Sequence, residues 1–66
     1  MKLTEIQKVI LEELINGGTN QQIAETTGYC ERSVKRKIKN LFNTFNVKNR
    51  SSLVREAIIA KANGII

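Results

Sequence analysis

NQQIAETTGYCERSVKRKIK, residues 20–39, decides how this chain reads. Ala24 lies on a short segment with helical spacing, Gly28 follows four residues later, and Val34 stands ten residues after Ala24 on a second segment crowded with Lys and Arg. This is the spacing of a helix-turn-helix, and it has a steric cause. A small side chain at Ala24 lets two helices approach closely, Gly28 takes the positive φ of a sharp inter-helix turn, and Val34 packs back into the angle between them. The polar side of the second helix is then free, and a DNA major groove is the partner such a helix fits.

Working outward, the periodicity predicts four helices in all, with no Pro to interrupt them. The first begins after Thr4, whose hydroxyl caps the backbone while Gln7 reaches back. Ile6, Val9, Ile10 and Leu14 recur at helical spacing, Leu11 and Ile15 widen the stripe, and Glu12 and Glu13 face solvent. Asn16, Gly17 and Gly18 end this helix. Thr19 and Gln22 repeat the capping pattern for the second helix, which runs to about Thr27 with Ile23 and Ala24 inward. The third starts near Cys30 or Glu31. At 100° per residue, Val34, Ile38, Leu41 and Phe45 gather within about 60° of arc, with Arg32, Arg36, Lys39 and Asn43 opposite. Asn46 is the expected stop, and Val47 plugs the core from the loop beyond.

A fourth helix opens at Asn49 or Ser51 and runs to about Asn63, with Gly64 as its C-terminal cap. Leu53, Val54, Ala57 and Ile58 are available to cover the first and third helices. Ile59, Ala60, Ala62, Ile65 and Ile66 are left over, and leftover apolar surface on a small domain marks an interface. Val54, Ile58, Ile59 and Ala62 are the expected contact with a second copy; fraying at an exposed C-terminus is the bland alternative. The expected fold is all-α, one four-helix bundle-like domain over residues 1–66.

Sixty-six residues are near the lower limit for a chain without disulfides or metal, so self-association would help. No apolar run approaches a membrane span, and MKLTEIQKVI is amphipathic rather than a signal sequence. A cytoplasmic protein is expected. The one cysteine, Cys30, cannot form an internal disulfide, and it reads as a small, partly buried residue at a helix start. With no His and no Asp, the usual metal sites and nucleophile triads cannot be assembled, so neither enzyme activity nor a cofactor is expected.

The net charge of +5 is unevenly spread. Residues 1–30 hold two lysines against four glutamates, net −2, while residues 31–66 hold nine basic side chains against two glutamates, net +7. Five basic residues and one acid fall between Glu31 and Lys39. Such a concentration suits a polyanion, with counterion release supplying affinity; a solvated basic face that keeps a small protein soluble is the alternative.

Leu3-Thr4, Gly18-Thr19-Asn20, Ile23-Ala24, Ser33-Val34-Lys35 and Val47-Lys48-Asn49-Arg50 together resemble the LuxR/GerE family of bacterial transcription regulators. The likeness covers nearly the whole chain. It implies a four-helix DNA-binding domain whose third helix reads the major groove and whose fourth forms a two-fold dimer contact. Most relatives carry a further domain ahead of this module, whereas here the expectation is a stand-alone regulator of the GerE type. Cys30 stands where Ser or Thr usually caps the third helix, Lys37 where His is frequent, and Thr27 where an apolar residue is usual. On the resemblance, Lys35, Arg36 and Lys39 reach base edges, Arg36 best of all because its planar fork matches guanine O6 and N7. Asn20, Gln21, Arg32, Ser33, Lys37 and Arg50 hold phosphates or the start of the helix. Double-stranded DNA, a second copy of the chain and RNA polymerase are the expected partners, and no membrane. Two other readings stay open: a sigma-factor-like promoter-binding region, and a small protein-interaction regulator whose basic face meets an acidic protein.

Overall fold

A computed structural model describes residues 2–66. They form α1 (Glu5–Ile15), α2 (Asn20–Thr27), α3 (Glu31–Phe45) and α4 (Arg50–Ala62), with no strand among the described residues. The helix starts follow local side-chain chemistry. Gln7 N–H donates to Thr4 Oγ1 at 3.2 Å while Thr4 N–H donates to Gln7 Oε1 at 2.9 Å. Thr19 and Gln22 do the same at 3.2 and 2.8 Å. Asn49 caps α4 by accepting from Ser52 N–H. Cys30, the N-cap of α3, makes no side-chain capping bond to the helix backbone, as the departure from Ser or Thr implies; its Sγ meets the Ser33 hydroxyl instead.

The helix ends are equally local. Gly18 N–H donates to Glu13 O and Gly17 N–H to Leu14 O, the paired bonds of a Schellman turn; Val47 to Phe42 with Asn46 to Asn43, and Ile65 to Ala60 with Gly64 to Lys61, repeat it. Asn46, at φ 55°, takes the left-handed conformation that ends α3. Gly28, at φ 81°, closes α2 with one bond to Ala24 O.

One core joins the four helices. α1 packs on α4, α2 on α3, and α1 and α3 bridge the two pairs. Ile10, Leu11, Ile23, Val34, Leu41 and Leu53 are fully buried; Leu3, Leu14, Ile38, Ala57 and Ala60 are nearly so. Ala24, Phe45 and Val47 pack against this cluster as the periodicity predicts. Truncating one fully buried Leu or Ile to Ala costs about 2–5 kcal/mol, as much as a core of this size supplies.

Several expectations are corrected. Val9 is 39% exposed, on the solvent edge of the α1 stripe, and Ile58 is 50% exposed rather than covering α1 and α3. Ala60 is buried and Ile66 packs on the core, so neither is leftover surface. The turn after α4 folds the chain back, which helix periodicity cannot anticipate. Glu12 and Glu13 are half-buried, and Glu12 forms an ion pair at 2.9 Å with Lys61 across the α1–α4 contact. Cys30 is exposed, not partly buried.

α4 is apolar on two opposite faces. Leu53, Ala57 and Ala60 share one arc of about 60° and are buried, while Ile58, Ile59 and Ala62 centre about 180° away and are exposed. No described helix is long and apolar enough to cross a membrane.

Candidate nucleic-acid interface

The α2–α3 unit is built from the turn outward. Thr27 Oγ1 donates to Ile23 O at 2.7 Å and accepts from Tyr29 N–H at 3.4 Å, so one hydroxyl links the last turn of α2 to the chain just past Gly28. Val34 and Ile38 then bury one side of α3.

The other side of α3 is cationic and open. Arg32, Lys35, Arg36, Lys39 and Asn43 are all exposed. Among the described residues, no hydrogen bond or salt bridge engages the side chains of Arg32, Lys35, Arg36 or Lys39. Arg32, Arg36 and Lys39 lie within about 40° of the direction opposite Val34, while Lys35 sits about 100° round from Val34 on one flank and Lys37 about 60° round on the other. These charges are therefore neither neutralised by carboxylates nor drawn into the fold.

The expected phosphate-holding residues divide. Gln21 is exposed. Ser33 is half-buried, with its Oγ 3.4 Å from Cys30 Sγ. Lys37 is half-buried and sits over the Tyr29 ring, its Nζ 4.6 Å from the centroid. Asn20 and Arg50 are engaged with each other: Arg50 Nη1 donates to Asn20 Oδ1 at 2.8 Å and Nη2 to Gly18 O at 2.8 Å. That bond ties the first residue of α4 to the first residue of α2. With Gly17, Gly18, Thr19, Gln21 and Glu31, the two line a polar recess where the N-termini of α2, α3 and α4 converge. The sequence does not reveal this pairing or the Tyr29–Lys37 contact, because both join positions outside one helix period.

The thiol of Cys30 titrates below its ordinary value. The Ser33 hydroxyl is the main cause, followed by the Ser33 backbone. No group of metal-ligating side chains is assembled among the described residues. On α4, Val54 is half-buried against the core, next to Arg50 and Gly18, while Ile58, Ile59 and Ala62 are exposed.

Comparison with known proteins agrees with the all-helical fold. The family described as bacterial regulatory proteins, luxR family (GerE), matches residues 1–57. The chain is 36% identical over 64 residues to the transcriptional regulatory protein ComA of Bacillus subtilis (strain 168), covering 97% of this chain and 28% of that protein. It is 42% identical over 52 residues to the probable transcriptional regulatory protein SgaR of Hyphomicrobium methylovorum, covering 79% and 25% respectively. It is 33% identical over 58 residues to the probable transcriptional regulator ycf29 of Pyropia yezoensis, covering 88% and 26%. The chain thus spans about a quarter of the length of the curated relatives it matches. No solved structure matches it significantly.

Proposed function

The chain belongs to the luxR family of bacterial regulatory proteins, and from that premise we propose that it is a sequence-specific DNA-binding regulator of transcription in the cytoplasm, acting as a homodimer. One observation carries the reading: the cationic side of α3 is exposed and unpartnered while its apolar side is buried. A helix so divided offers charge and donors to a groove without disturbing the core. Arg36, Lys35 and Lys39 are assigned to base edges. Arg32, Ser33, Lys37 and Gln21 are assigned to phosphates, with Asn20 and Arg50 at the convergence of helix N-termini beside them. Neutralised phosphates release counterions, so affinity falls steeply with salt.

The second apolar face of α4, Ile58, Ile59 and Ala62 with the half-buried Val54 at its edge, supports the homodimer. Two-fold pairing there sets recognition helices about 34 Å apart, one DNA turn, and calls for a palindromic site. Bound to a promoter, such a dimer is in position to touch RNA polymerase.

Selection of bound sequences from a random duplex pool tests the whole reading. An imperfect palindrome with steep salt dependence is expected. Arg36→Ala should then relax base preference at one position of the site, while Lys37→Ala weakens all duplexes about equally. Equal loss on selected and random DNA for both variants would remove the base-reading assignment, and no DNA binding at low salt would leave a protein-interaction regulator in its place.

A further inference from the structure

Tyr29 belongs to none of the groups assigned so far, yet it is a large side chain held outside the core. It is 42% exposed, in the three-residue link between α2 and α3. Its backbone is held from the N-terminal side: Gly28 before it takes the left-handed conformation, and its own N–H donates back to Thr27 Oγ1. From there the ring lies beneath Lys37, eight residues on, with the ammonium 4.6 Å from the centroid. Lys37 is half-buried, unlike Lys35, Arg36 and Lys39.

A cation over an aromatic face is held by the ring quadrupole, not by an opposing charge. The ammonium therefore keeps its full positive charge while losing much of its rotamer freedom. A glutamate partner would do the reverse, cancelling the charge that a phosphate needs. A lysine so held also meets less entropic cost when it contacts an anion, since a free lysine must surrender that freedom on binding. The flank matters too. Lys37 lies on the side of α3 where Asn40 and the first turn of α1, with Thr4, Ile6 and Gln7, form a shallow groove. By helical spacing Lys37 is turned about 100° from Arg36, so this flank lies beside the arc of Arg32, Arg36 and Lys39.

We propose that Tyr29 is a positioning residue for DNA binding: its ring holds the Lys37 ammonium at the flank of α3, where it serves a backbone phosphate and is kept from base edges. Thr27 supports the arrangement by fixing the Tyr29 backbone. The proposal rests on the DNA-binding reading above and assigns a role to a residue that reading leaves unused.

A double-mutant cycle on the full chain tests it, with sheared duplex DNA of mixed sequence as the probe across a salt series. Tyr29→Leu should weaken binding roughly two- to fivefold, the range of an exposed cation–π contact. Tyr29→Phe, which keeps the ring, should restore it. The slope of log affinity on log salt should be unchanged by Tyr29→Leu, since no charge is lost, and should fall by about 0.9 for Lys37→Met. In the Lys37→Met background, Tyr29→Leu should add nothing. An equal loss in both backgrounds, or tighter binding by Tyr29→Leu, overturns the proposal. A readout independent of the variants is the ring-current shift on the Lys37 ε-methylene protons. Its persistence in the DNA complex supports the role, and its disappearance there means that the ring competes with the phosphate and overturns it. Wild-type chain that binds no duplex sinks the DNA reading as well, whereas wild-type binding with an additive cycle sinks this inference alone.

Discussion

The guanidinium of Arg50 donates at 2.8 Å to the amide oxygen of Asn20, and its other terminal nitrogen donates at 2.8 Å to the Gly18 carbonyl. One planar fork thus fastens the start of α4 to the start of α2. It also settles the Asn20 amide, whose oxygen is taken up by Arg50 and whose NH₂ is left to donate elsewhere.

Arg50→Met should lower stability to urea by about 1–2 kcal/mol, because two charge-assisted bonds in a half-exposed site are lost. Arg50→Lys should recover only part, since a point-like ammonium does not match two acceptors as a fork does. Unchanged stability in Arg50→Met would mean that the side chain is free for other work.

Gly28→Ala should cost about 1–2 kcal/mol in the same measurement. A Cβ at Gly28 would meet nothing within 4 Å, so the loss is wholly conformational and set by φ of 81°. Gly28→Asn should lose less, because Asn tolerates the left-handed region. Equal losses for the two variants would contradict a purely backbone origin.

These local features were open to sequence reasoning, and the reason is their range. Thr4 with Gln7, Thr19 with Gln22, the turn at Gly28 and the stop at Asn46 each involve residues within one helical turn of one another. The cationic arc of α3 was equally plain, since periodicity alone sorts Arg36 from Val34. What escaped depends on contacts between distant segments. The Glu12–Lys61 pair spans 49 residues and the Arg50–Asn20 bond 30. Ile66 packs on the core only because the chain turns at Gly64, and Val9 is exposed because the neighbouring helices do not reach that edge of α1; Ala60, seven residues on from Leu53, lies on the buried arc that periodicity does mark. Periodicity says which face is apolar; it does not say how wide the covering partner is.

Cys30→Ser should raise the melting temperature by about 2–8 °C. The N-cap backbone of α3 is already extended, with φ −76° and ψ 161°, and only the side-chain acceptor is missing. Differential scanning calorimetry reads the change, and no gain would mean that solvent already satisfies the first turn.

Alkylation of Cys30 should reach half its maximal rate at a lower pH than an unperturbed thiol, because the Ser33 hydroxyl favours the thiolate. Ser33→Ala removes that bond, so the thiol should titrate higher and react more slowly at a given pH below its titration. A pH profile that Ser33→Ala leaves in place would assign the shift to the backbone instead.

Ile58→Glu should shift sedimentation equilibrium toward monomer while leaving helix content unchanged, since Ile58 is 50% exposed and opposite the buried face of α4. Wild-type protein that stays monomeric at high concentration would remove the proposed two-fold contact.

Helix boundaries closed by their own neighbours bear on how quickly the chain reaches its native state. Apart from the uncapped start of α3, these boundaries are specified before distant segments meet, the connections are three or four residues long, and there is no proline to wait for. Refolding should therefore be a single exponential on the microsecond-to-millisecond scale, without a slow tail. A domain specified in this way would be folded almost as soon as it emerges from the ribosome.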